Sequence, residues 1–411
     1  MKNNLHLLCK SLLLLLVSTT STLTTAHNKV VVIPMSGEDL KPLSNVISVS
    51  PANGDFTDPV AAINSISDAA FDNPYTIVIG PGLYELSEPL EMKSYVDIVG
   101  SGTNATVLQG SFSGTSATSV ASAVVSGAPA ASISDLAIVN NGGPESISIA
   151  LAKPSGTVSN VRLEVRNGNT VYALYGNAVS PKLENLTIDV SNAAGNQYGI
   201  YLSSSRSQII GPNISISGGL GVDYGMYLNA GDFLVDSADI RVQDGTQQRG
   251  IYLNTGGLVV GDSQFLISDA TIRQEAIYAN AAATMQISNV NIAMDPRTGV
   301  SISQYGIFSN TSVDTTASNV NIEITDSAGS EYGVYSNTSS GAGSYSNLRI
   351  HANTLGFRVS SIASNDTYIS NSVVIGAPNA VSGAKTFCNH VFIDPNADGA
   401  NDGLLNSTCG N

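Results

Sequence analysis

A stretch close to the end of the chain has the residue types and spacing of a calcium-binding loop. Its oxygen donors are Asp394, Asn396, Asp398 and Asp402, which follow the pattern of the first positions of such a loop. Leu405 stands where a calcium loop carries its final glutamate, and no helical pattern flanks the stretch. Two interpretations remain open: a calcium site, which is the only candidate cofactor site, or a turn rich in Asn, Asp and Gly.

A second candidate site is a series of aromatic residues that recur about every 26 residues. Each belongs to a copy of the motif Tyr-Gly-Ile-Tyr-Leu or a degenerate form of it, and the series consists of Tyr175, Tyr201, Tyr227, Tyr252, Tyr278, Phe308 and Tyr335. Aromatic faces stack on sugar rings, and tyrosine adds a hydroxyl group for polar contacts. The series predicts either a strip that binds an extended glycan or a structural stack of rings, and the structural stack is favoured.

Two acidic residues occupy equivalent positions in successive repeats. Glu164 and Asp189 would bring their carboxylates to about 5 Å from each other on an outer face. At that distance they could share a proton or bind a cation. Arg162 and Arg166 flank Glu164, so charge pairing is the favoured interpretation.

The elements that carry these candidates are short strands. A second motif, an Asn or Asp followed by alternating aliphatic residues, recurs in phase with the aromatic one, as in the segment that begins at Asn160. Alternation with period two predicts strands, and no helical pattern separates them. The chain is 42% hydrophobic and 12% charged, which is too apolar for a disordered chain. Two or three strands per repeat, stacked at about 4.8 Å, predict a parallel β-helix of about ten coils.

The alternation also predicts the direction of individual side chains. In the copy Gly-Ile-Tyr-Leu that starts at Gly199, we expect the isoleucine and the leucine inside, with Gly199 and Tyr201 outside. Arg249 and Glu275 fall one coil apart, and we expect them to form a surface ion pair of small energetic value.

Asparagine heads most copies of the second motif and suits a turn where amides bond along a stack. The predicted asparagine ladder consists of Asn160, Asn185, Asn213, Asn289, Asn319, Asn347 and Asn371. We expect this ladder to be structural.

The first 26 residues have the pattern of an export signal, with an apolar run from Ser11 to Val17 and a small-residue site at Ala26. Cleavage there would leave Cys388 and Cys409, an even pair that predicts a disulfide in an exported protein. It would also remove two lysines, which changes the net charge from −15 to −17. So acidic a surface argues against nucleic acid and anionic membranes as partners.

The segment from Ile47 to Gly110 contains, in order, a "GDF" motif, a short helical pattern, a "PGLY" strand and a "VGSG" turn. It resembles the start of a pectin methylesterase, and the later "YGIYL" copies resemble the repeats of the pectin lyase-like superfamily. The resemblance implies an all-β, right-handed, single-stranded parallel β-helix with a short N-terminal capping helix. It divides the chain into a signal peptide (1–26), a pectin methylesterase-like cap with the first coils (27–110), the repeats (111–386) and a C-terminal cap closed by the disulfide (387–411).

The catalytic residues that the resemblance would supply are not recognisable. After Gly110 the chain lacks stretches of the types "QAVAL", "GTVDFIFG" and "LGRPW", which carry the pectin methylesterase site, and it lacks the polygalacturonase motifs "NTD", "DD", "GHG" and "RIK". The first hypothesis is therefore a secreted or cell-surface protein, monomeric and non-catalytic, that binds a polysaccharide or a cell-surface glycan. The alternatives are a polysaccharide-active enzyme (a lyase, a hydrolase or a divergent pectinesterase) and a scaffold without a ligand.

Overall fold

The structure is a computed structural model, and it describes residues 45–325, 329–338, 340–359, 366–376, 379–382, 386–394 and 403–405. The predicted signal peptide and Cys409 lie outside these residues. One α-helix, α1 (Pro59–Ser65), is present in the described part, and a 3-10 turn covers Val120–Ser122. No helix of the described part is long and apolar enough to cross a membrane.

The remaining elements are strands. Those of the N-terminal part are β1 (Val46–Val49), β2 (Tyr75–Ile79), β3 (Gly82–Glu85), β4 (Leu90–Glu91), β5 (Val96–Val99), β6 (Thr106–Gly110), β7 (Ala123–Ser126), β8 (Ile133–Asn140), β9 (Ile147–Ala152), β10 (Thr157–Gly168) and β11 (Thr170–Asn177). The central part contains β12 (Lys182–Glu184), β13 (Thr187–Ala193), β14 (Gln197–Ser203), β15 (Arg206–Ile210), β16 (Asn213–Ser217), β17 (Val222–Asn229), β18 (Gly231–Asp236), β19 (Asp239–Gln243), β20 (Gln247–Leu253), β21 (Gly256–Gly261), β22 (Gln264–Ser268) and β23 (Arg273–Ala279). The C-terminal part contains β24 (Ala283–Asp295), β25 (Ser303–Ser309), β26 (Val313–Ile324), β27 (Ser330–Ser336), β28 (Gly343–His351), β29 (Leu355–Val359), β30 (Thr367–Ile375), β31 (Asn379–Ser382), β32 (Thr386–Asp394) and β33 (Gly403–Leu405).

The strands form a parallel β-solenoid of about 12 turns, two more than the repeats predicted. A central turn has three strands, as in β14, β15 and β16, and each pairs in parallel with its equivalent in the next turn. We call the outer surface of β15, β18, β21 and residues 283–288 the first face, and that of β16, β19, β22 and residues 291–295 the second face. The third face is the outer surface of the 12-stranded sheet that includes β14, β17, β20 and β23. At the C-terminal end, β33 pairs antiparallel with β32.

Aliphatic side chains fill the interior, as the alternation predicted. Ile200, Leu202 and Ile216 are fully buried, and so are Val161, Leu163 and Val165 of β10. Burying one such side chain contributes about 1.5–3 kcal/mol, so the stacked interior rows supply most of the driving force for folding.

The expectation that Gly199 faces outward is wrong. Gly199 is buried, and a Cβ atom placed on it would lie 2.9 Å from Cγ2 of the core residue Ile214. The pairing register between β11 and β14 skips this position, so the alternation breaks and Gly199 and Ile200 both face inward. A side chain has no room there, because the same Cβ would lie 2.6 Å from the carbonyl oxygen of Gly225. Beyond the break, Tyr201 faces outward as expected.

The asparagine ladder forms at the turn between the first and second faces. Its members have left-handed backbones, with φ of 52° at both Asn160 and Asn185, and the amide of Asn185 donates to Oδ1 of Asn160 at 3.2 Å. Asparagine tolerates this conformation better than most residues, which explains the motif. Asn289, Asn319 and Asn347 continue the ladder in later turns.

Asn213 is not a member of the ladder, contrary to expectation. It is the first residue of β16 and is exposed on the second face, while Gly211, with a φ of 63°, occupies the ladder position of that turn. Glycine has no side-chain amide, so the ladder is interrupted at this position. A Cβ atom on Gly211 would lie 2.9 Å from Oδ1 of Asn185.

The two ends of the solenoid differ. Helix α1 begins at an Asp58 cap whose carboxylate accepts from the amide of Val60 at 2.9 Å, and its apolar side packs on the first turns. At the other end, Cys388 is buried in β32. Since its predicted partner Cys409 lies outside the described residues, the disulfide and the domain divisions stay predictions.

Candidate functional site

The predicted aromatic strip lies on the third face, in the register that the sequence implied. Neighbours such as Tyr201 and Tyr227 are direct cross-strand partners, and the same register joins all seven residues from Tyr175 to Tyr335. Tyr201 and Tyr227 are half-buried, whereas Tyr175 and Tyr278 are each only 8% exposed. The strip therefore faces outward but offers little free ring surface.

A second aromatic column, which the sequence analysis missed, lies beside the first. It consists of Tyr172, Tyr198, Tyr224, Tyr305 and Tyr332. Its rings stack on one another, with 4.9 Å between the centroids of Tyr198 and Tyr224 and an interplanar angle of 2°. Tyr198 contacts Tyr201 of the first column edge to face at 5.7 Å, whereas Tyr305 stacks on Phe308 at 5.0 Å. Burial raises the pKa values of the hydroxyl groups of Tyr198 and Tyr252, that of Tyr252 to about 12.

The stacking decides which ring atoms a ligand could reach. Within the first column the centroids of Tyr201 and Tyr227 are 4.9 Å apart and their planes differ by 9°, so these rings lie face to face, whereas Tyr252 and Tyr278 meet edge to face. Ring edges and hydroxyl groups are the parts that remain accessible. This geometry favours the structural interpretation of the strip, and its role in glycan binding stays a prediction.

Arg249 and Glu275 interrupt the second column, and the expectation of a surface ion pair is wrong. Glu275 has a side chain only 1% exposed and is paired with Nε of Arg249 and, at 2.6 Å, with Nη2 of Arg273. The guanidinium of Arg249 lies 4.9 Å from the ring centroid of Tyr252 and donates to the hydroxyl of Tyr224 at 2.9 Å. The ion pair is buried because the flanking aromatic rings cover it.

A second asparagine ladder borders the aromatic columns and was also missed. The amide of Asn254 donates to Oδ1 of Asn229 at 2.9 Å, and Asn280, Asn310 and Asn337 extend the chain of bonds turn by turn. The hydroxyl of Tyr278 donates to Oδ1 of Asn280 at 3.0 Å, so the ladder also holds ring positions. The Asn that recurs two residues after most aromatics of the strip was the available signal.

A row of buried polar side chains lies under the aromatic columns. Its members, all fully buried, are Gln197, Asp223, Gln248, Gln274, Gln304 and Glu331. Several are bonded to one another, as where Gln304 donates to Oε1 of Gln274 at 2.8 Å, but Oε1 of Gln197 and Oε1 of Gln304 have no hydrogen-bond partner. Asp223 accepts from Gln197 at 3.0 Å, but its Oδ2 has no hydrogen-bond partner, and burial raises the pKa of this carboxyl to about 7.

The pair Glu164 and Asp189 is placed as predicted, on adjacent turns of the second face. Glu164 is ion-paired with Arg162 and, at 2.7 Å, with Nη2 of Arg166. Charge pairing, the favoured interpretation, is therefore confirmed for Glu164. Asp189 is exposed beside it.

Of the predicted calcium ligands only Asp394, the last residue of β32, is described. Asn396, Asp398 and Asp402 lie outside the described residues, so the site stays a prediction. Among the residues that are described, no three His, Cys, Asp or Glu side chains are grouped as metal ligands would be.

The second face carries a row of exposed polar side chains that the sequence did not single out. We call it the amide row: one residue per turn at paired positions, Asn213, Asp239, Gln264, Asn291 and Asn321. Asp239 is paired with Arg241 at 2.7 Å, whereas the four side-chain amides make no hydrogen bond within the described residues. Most of the row lines a groove of about 490 Å³ together with Leu266, which is 41% exposed.

A sequence profile of the family described as Rhamnogalacturonase A/epimerase, pectate lyase-like, matches residues 44–255, just over half of the chain. The chain belongs to this family. The match begins at the first described strand and ends after β20, so it includes the first members of the aromatic columns and the amide row. Comparison with curated protein sequences gives no match.

Solved structures of low sequence identity are similar to this chain. Geobacillus virus E2 ORF18 is 13% identical with a TM-score of 0.52, and the alignment covers 82% of this chain and 63% of that one. Rice weevil pectin methyl esterase is 15% identical with a TM-score of 0.41, covering 56% and 81%. The A-module of mannuronan C-5 epimerase AlgE6 from Azotobacter vinelandii is 15% identical with a TM-score of 0.38, covering 82% and 94%. By its family match and its fold, the protein is a pectin lyase-like β-solenoid.

Proposed function

We propose that this protein binds a polysaccharide along the second face without modifying it, as a secreted or cell-surface glycan-binding protein. The observation that carries the proposal is the amide row, in which Gln264, Asn291 and Asn321 are presented on successive turns with unused donors and acceptors. The amides of the two asparagine ladders, by contrast, are bonded to equivalent amides in adjacent turns, as Asn185 is to Asn160 and Asn254 is to Asn229.

The chemistry of the row suits a sugar polymer. An amide can donate to one hydroxyl group and accept from another, and the carboxylate of Asp239 accepts from hydroxyl groups. Leu266 supplies an apolar contact for the C–H side of a sugar ring. The turns repeat at about 4.8 Å, which is close to the length of one sugar unit, so a glycan lying along the rod meets the same groups repeatedly. Membership of a family named after rhamnogalacturonase and epimerase supports a polysaccharide ligand.

The test is retention on a panel of insoluble and gel-embedded polysaccharides, acidic and neutral. We expect the wild-type protein to be retained on at least one of them. The triple variant Gln264→Ala, Asn291→Ala, Asn321→Ala is expected to lose most of that retention. A matched control, Thr316→Ala with Ser344→Ala, removes exposed polar groups from the first face and is expected to keep it. Equal retention of the row variant and the wild type would contradict the proposal.

A second candidate function is polysaccharide cleavage, and the register of Glu164 with Asp189 is the observation that favours it. Two carboxylates on adjacent turns of one face are the groups that general acid and base catalysis uses. The protein is therefore also incubated with each polysaccharide of the panel, and the release of unsaturated products, reducing ends and methanol is measured. Turnover that Asp189→Asn abolishes would establish this function in place of the first.

A further inference from the structure

The outward side chains of strand β21 are shorter than those of the two neighbouring strands on the first face. Its three outward positions are Gly257, Val259 and Gly261. They alternate with the buried residues Leu258 and Val260. The paired positions in the flanking strands β18 and β24 all carry longer side chains, which are Asp232, Leu234 and Asp236 on one side and Thr284, Gln286 and Ser288 on the other. The result is a furrow that follows β21 across the rod.

The backbone does not require glycine at these two positions. Gly256 is different: its φ is +111°, and a Cβ atom there would lie 2.0 Å from the carbonyl oxygen of Gly231. At Gly257 and Gly261, φ is outside the left-handed region, and an added Cβ would meet only Oδ1 of Asp232 at 2.9 Å or Oδ1 of Asp236 at 2.8 Å. Those atoms end rotatable side chains and can move aside.

Glycine inside a strand weakens it and often marks a place that something approaches closely. Two glycines flank one outward valine, with no conformational reason for either, and the atoms that reach over them are the ends of the rotatable Asp232 and Asp236 side chains. The strand tolerates them because both of its edges are paired in parallel with β18 and β24.

The furrow has a polar wall on each side and an apolar floor. One wall presents the carboxylate of Asp232, which is paired with Nε of Arg206 at 3.3 Å, and the carboxylate of Asp236, and the other presents the hydroxyl of Thr284 and the amide of Gln286. The floor is Val259, 39% exposed, and around Gly257 the space amounts to about 430 Å³. The Cα rows of the two walls are about 9.6 Å apart, twice the spacing of adjacent strands, which admits one chain of sugar rings.

We propose that this furrow is a binding site for a single chain of a neutral carbohydrate, lying along β21. Carboxylate and amide side chains form hydrogen bonds with the hydroxyl groups of the sugar, and Val259 packs on the apolar side of a sugar ring. An added peptide strand is disfavoured, because the backbone groups of β21 already pair on both sides. The site is on a different face from the amide row, so the furrow goes beyond the proposed function and does not depend on it.

The test is titration calorimetry of the full protein with three neutral probes, cellohexaose, xylohexaose and mannohexaose, and with hexagalacturonate as a charged probe. At least one neutral hexasaccharide is expected to bind. The double variant Gly257→Val, Gly261→Val fills the furrow and is expected to bind that probe at least about tenfold more weakly, with an unchanged or higher melting temperature. If the filled variant does not fold, Thr284→Ala with Gln286→Ala tests the same wall and predicts the same loss.

Two matched controls separate this site from the rest of the surface. Ser344→Ile adds bulk to the first face three turns beyond the furrow and is expected to bind as the wild type does. The amide-row triple variant is also expected to keep hexasaccharide binding, so failure of the furrow proposal is distinguishable from failure of the proposed function. The furrow proposal is overturned if no neutral probe binds, if only hexagalacturonate binds, or if filling the furrow leaves the affinity unchanged.

Discussion

Arg249 and Glu275 form an ion pair inside an aromatic array, at two positions where the other turns of the same column carry tyrosine. Tyr224 lies on one side of the pair and Tyr305 on the other, so the charges replace ring stacking with cation–π and ionic contacts. Since the carboxylate of Glu275 is almost fully buried, the pair belongs to the structure of the third face rather than to its solvated surface.

Replacing Glu275 by alanine should therefore lower the free energy of unfolding strongly. Both Arg249 and Arg273 would lose their carboxylate partner while remaining partly buried, and breaking a buried pair costs about 3–5 kcal/mol. The measurement is the free energy of unfolding in urea. The control is Arg206→Ala, which breaks an exposed pair with Asp232 and should cost less than about 1 kcal/mol. Similar values for the two variants would contradict the buried assignment.

The sequence predicts the solenoid well because its period is stated twice, by the aromatic motif and by the asparagine motif. The inward positions of Ile200 and Ile216 and the register of the aromatic strip follow from that period alone. The second aromatic column does not follow. Strict alternation places Tyr198 inside with Ile200, and only the break at Gly199 sends it outward.

Buried polar groups are the other part that the sequence conceals. Gln197 and Glu275 are ordinary surface residues in any single repeat, and their burial depends on what stacks on them from neighbouring turns. The furrow likewise depends on the length of side chains two turns apart. Such features arise from contacts between turns, which periodicity within one turn does not describe.

The interior rows can be tested by introducing a charge. Ile216→Asp places a carboxylate among aliphatic side chains with no partner, and we expect a loss of about 4 kcal/mol or more in the free energy of unfolding. Ser204→Asp is the matched change at an exposed position, where the φ of 52° suits aspartate, and it should cost less than about 0.5 kcal/mol. Asn196 is unsuitable as a control because its Oδ1 accepts from the amide of Val222 at 2.9 Å. If Ile216→Asp melts in urea like the wild type, the assignment of the interior is wrong.

The buried carboxyl of Asp223 should make stability depend on pH. Its pKa is raised from 3.8 to about 7 by burial, so the folded state keeps a proton that the unfolded state releases above about pH 4. The folded state thus binds more protons between pH 4 and 7, and stability falls as the pH rises through that range. The total loss is on the order of 4 kcal/mol, since each pKa unit corresponds to about 1.4 kcal/mol.

Asp223→Asn removes this titration. We expect the variant to match the wild type near pH 4 and to be more stable at pH 8, as measured by melting temperature across the range. Asp189→Asn, at an exposed position of the second face, is the control and should leave the shape of the pH profile unchanged. A wild-type profile that rises from pH 4 to pH 7, with no difference for Asp223→Asn, would show that this carboxyl does not titrate as described.

The aromatic strip is tested by changing Tyr201, Tyr227 and Tyr252 together. Their ring centroids are 4.9 Å apart from one to the next, so alanine at all three positions removes at least two ring contacts within the column and others to the second column. Each such contact contributes about 0.5–1.5 kcal/mol, and we expect a clear fall in melting temperature. The matched triple change to phenylalanine keeps the rings and should melt close to the wild type. Polysaccharide retention is then compared below all three melting temperatures. Because ring faces contact rings, we expect both variants to be retained through the amide row. If the alanine variant melts like the wild type but is no longer retained, the third face is the glycan surface and the amide row is not.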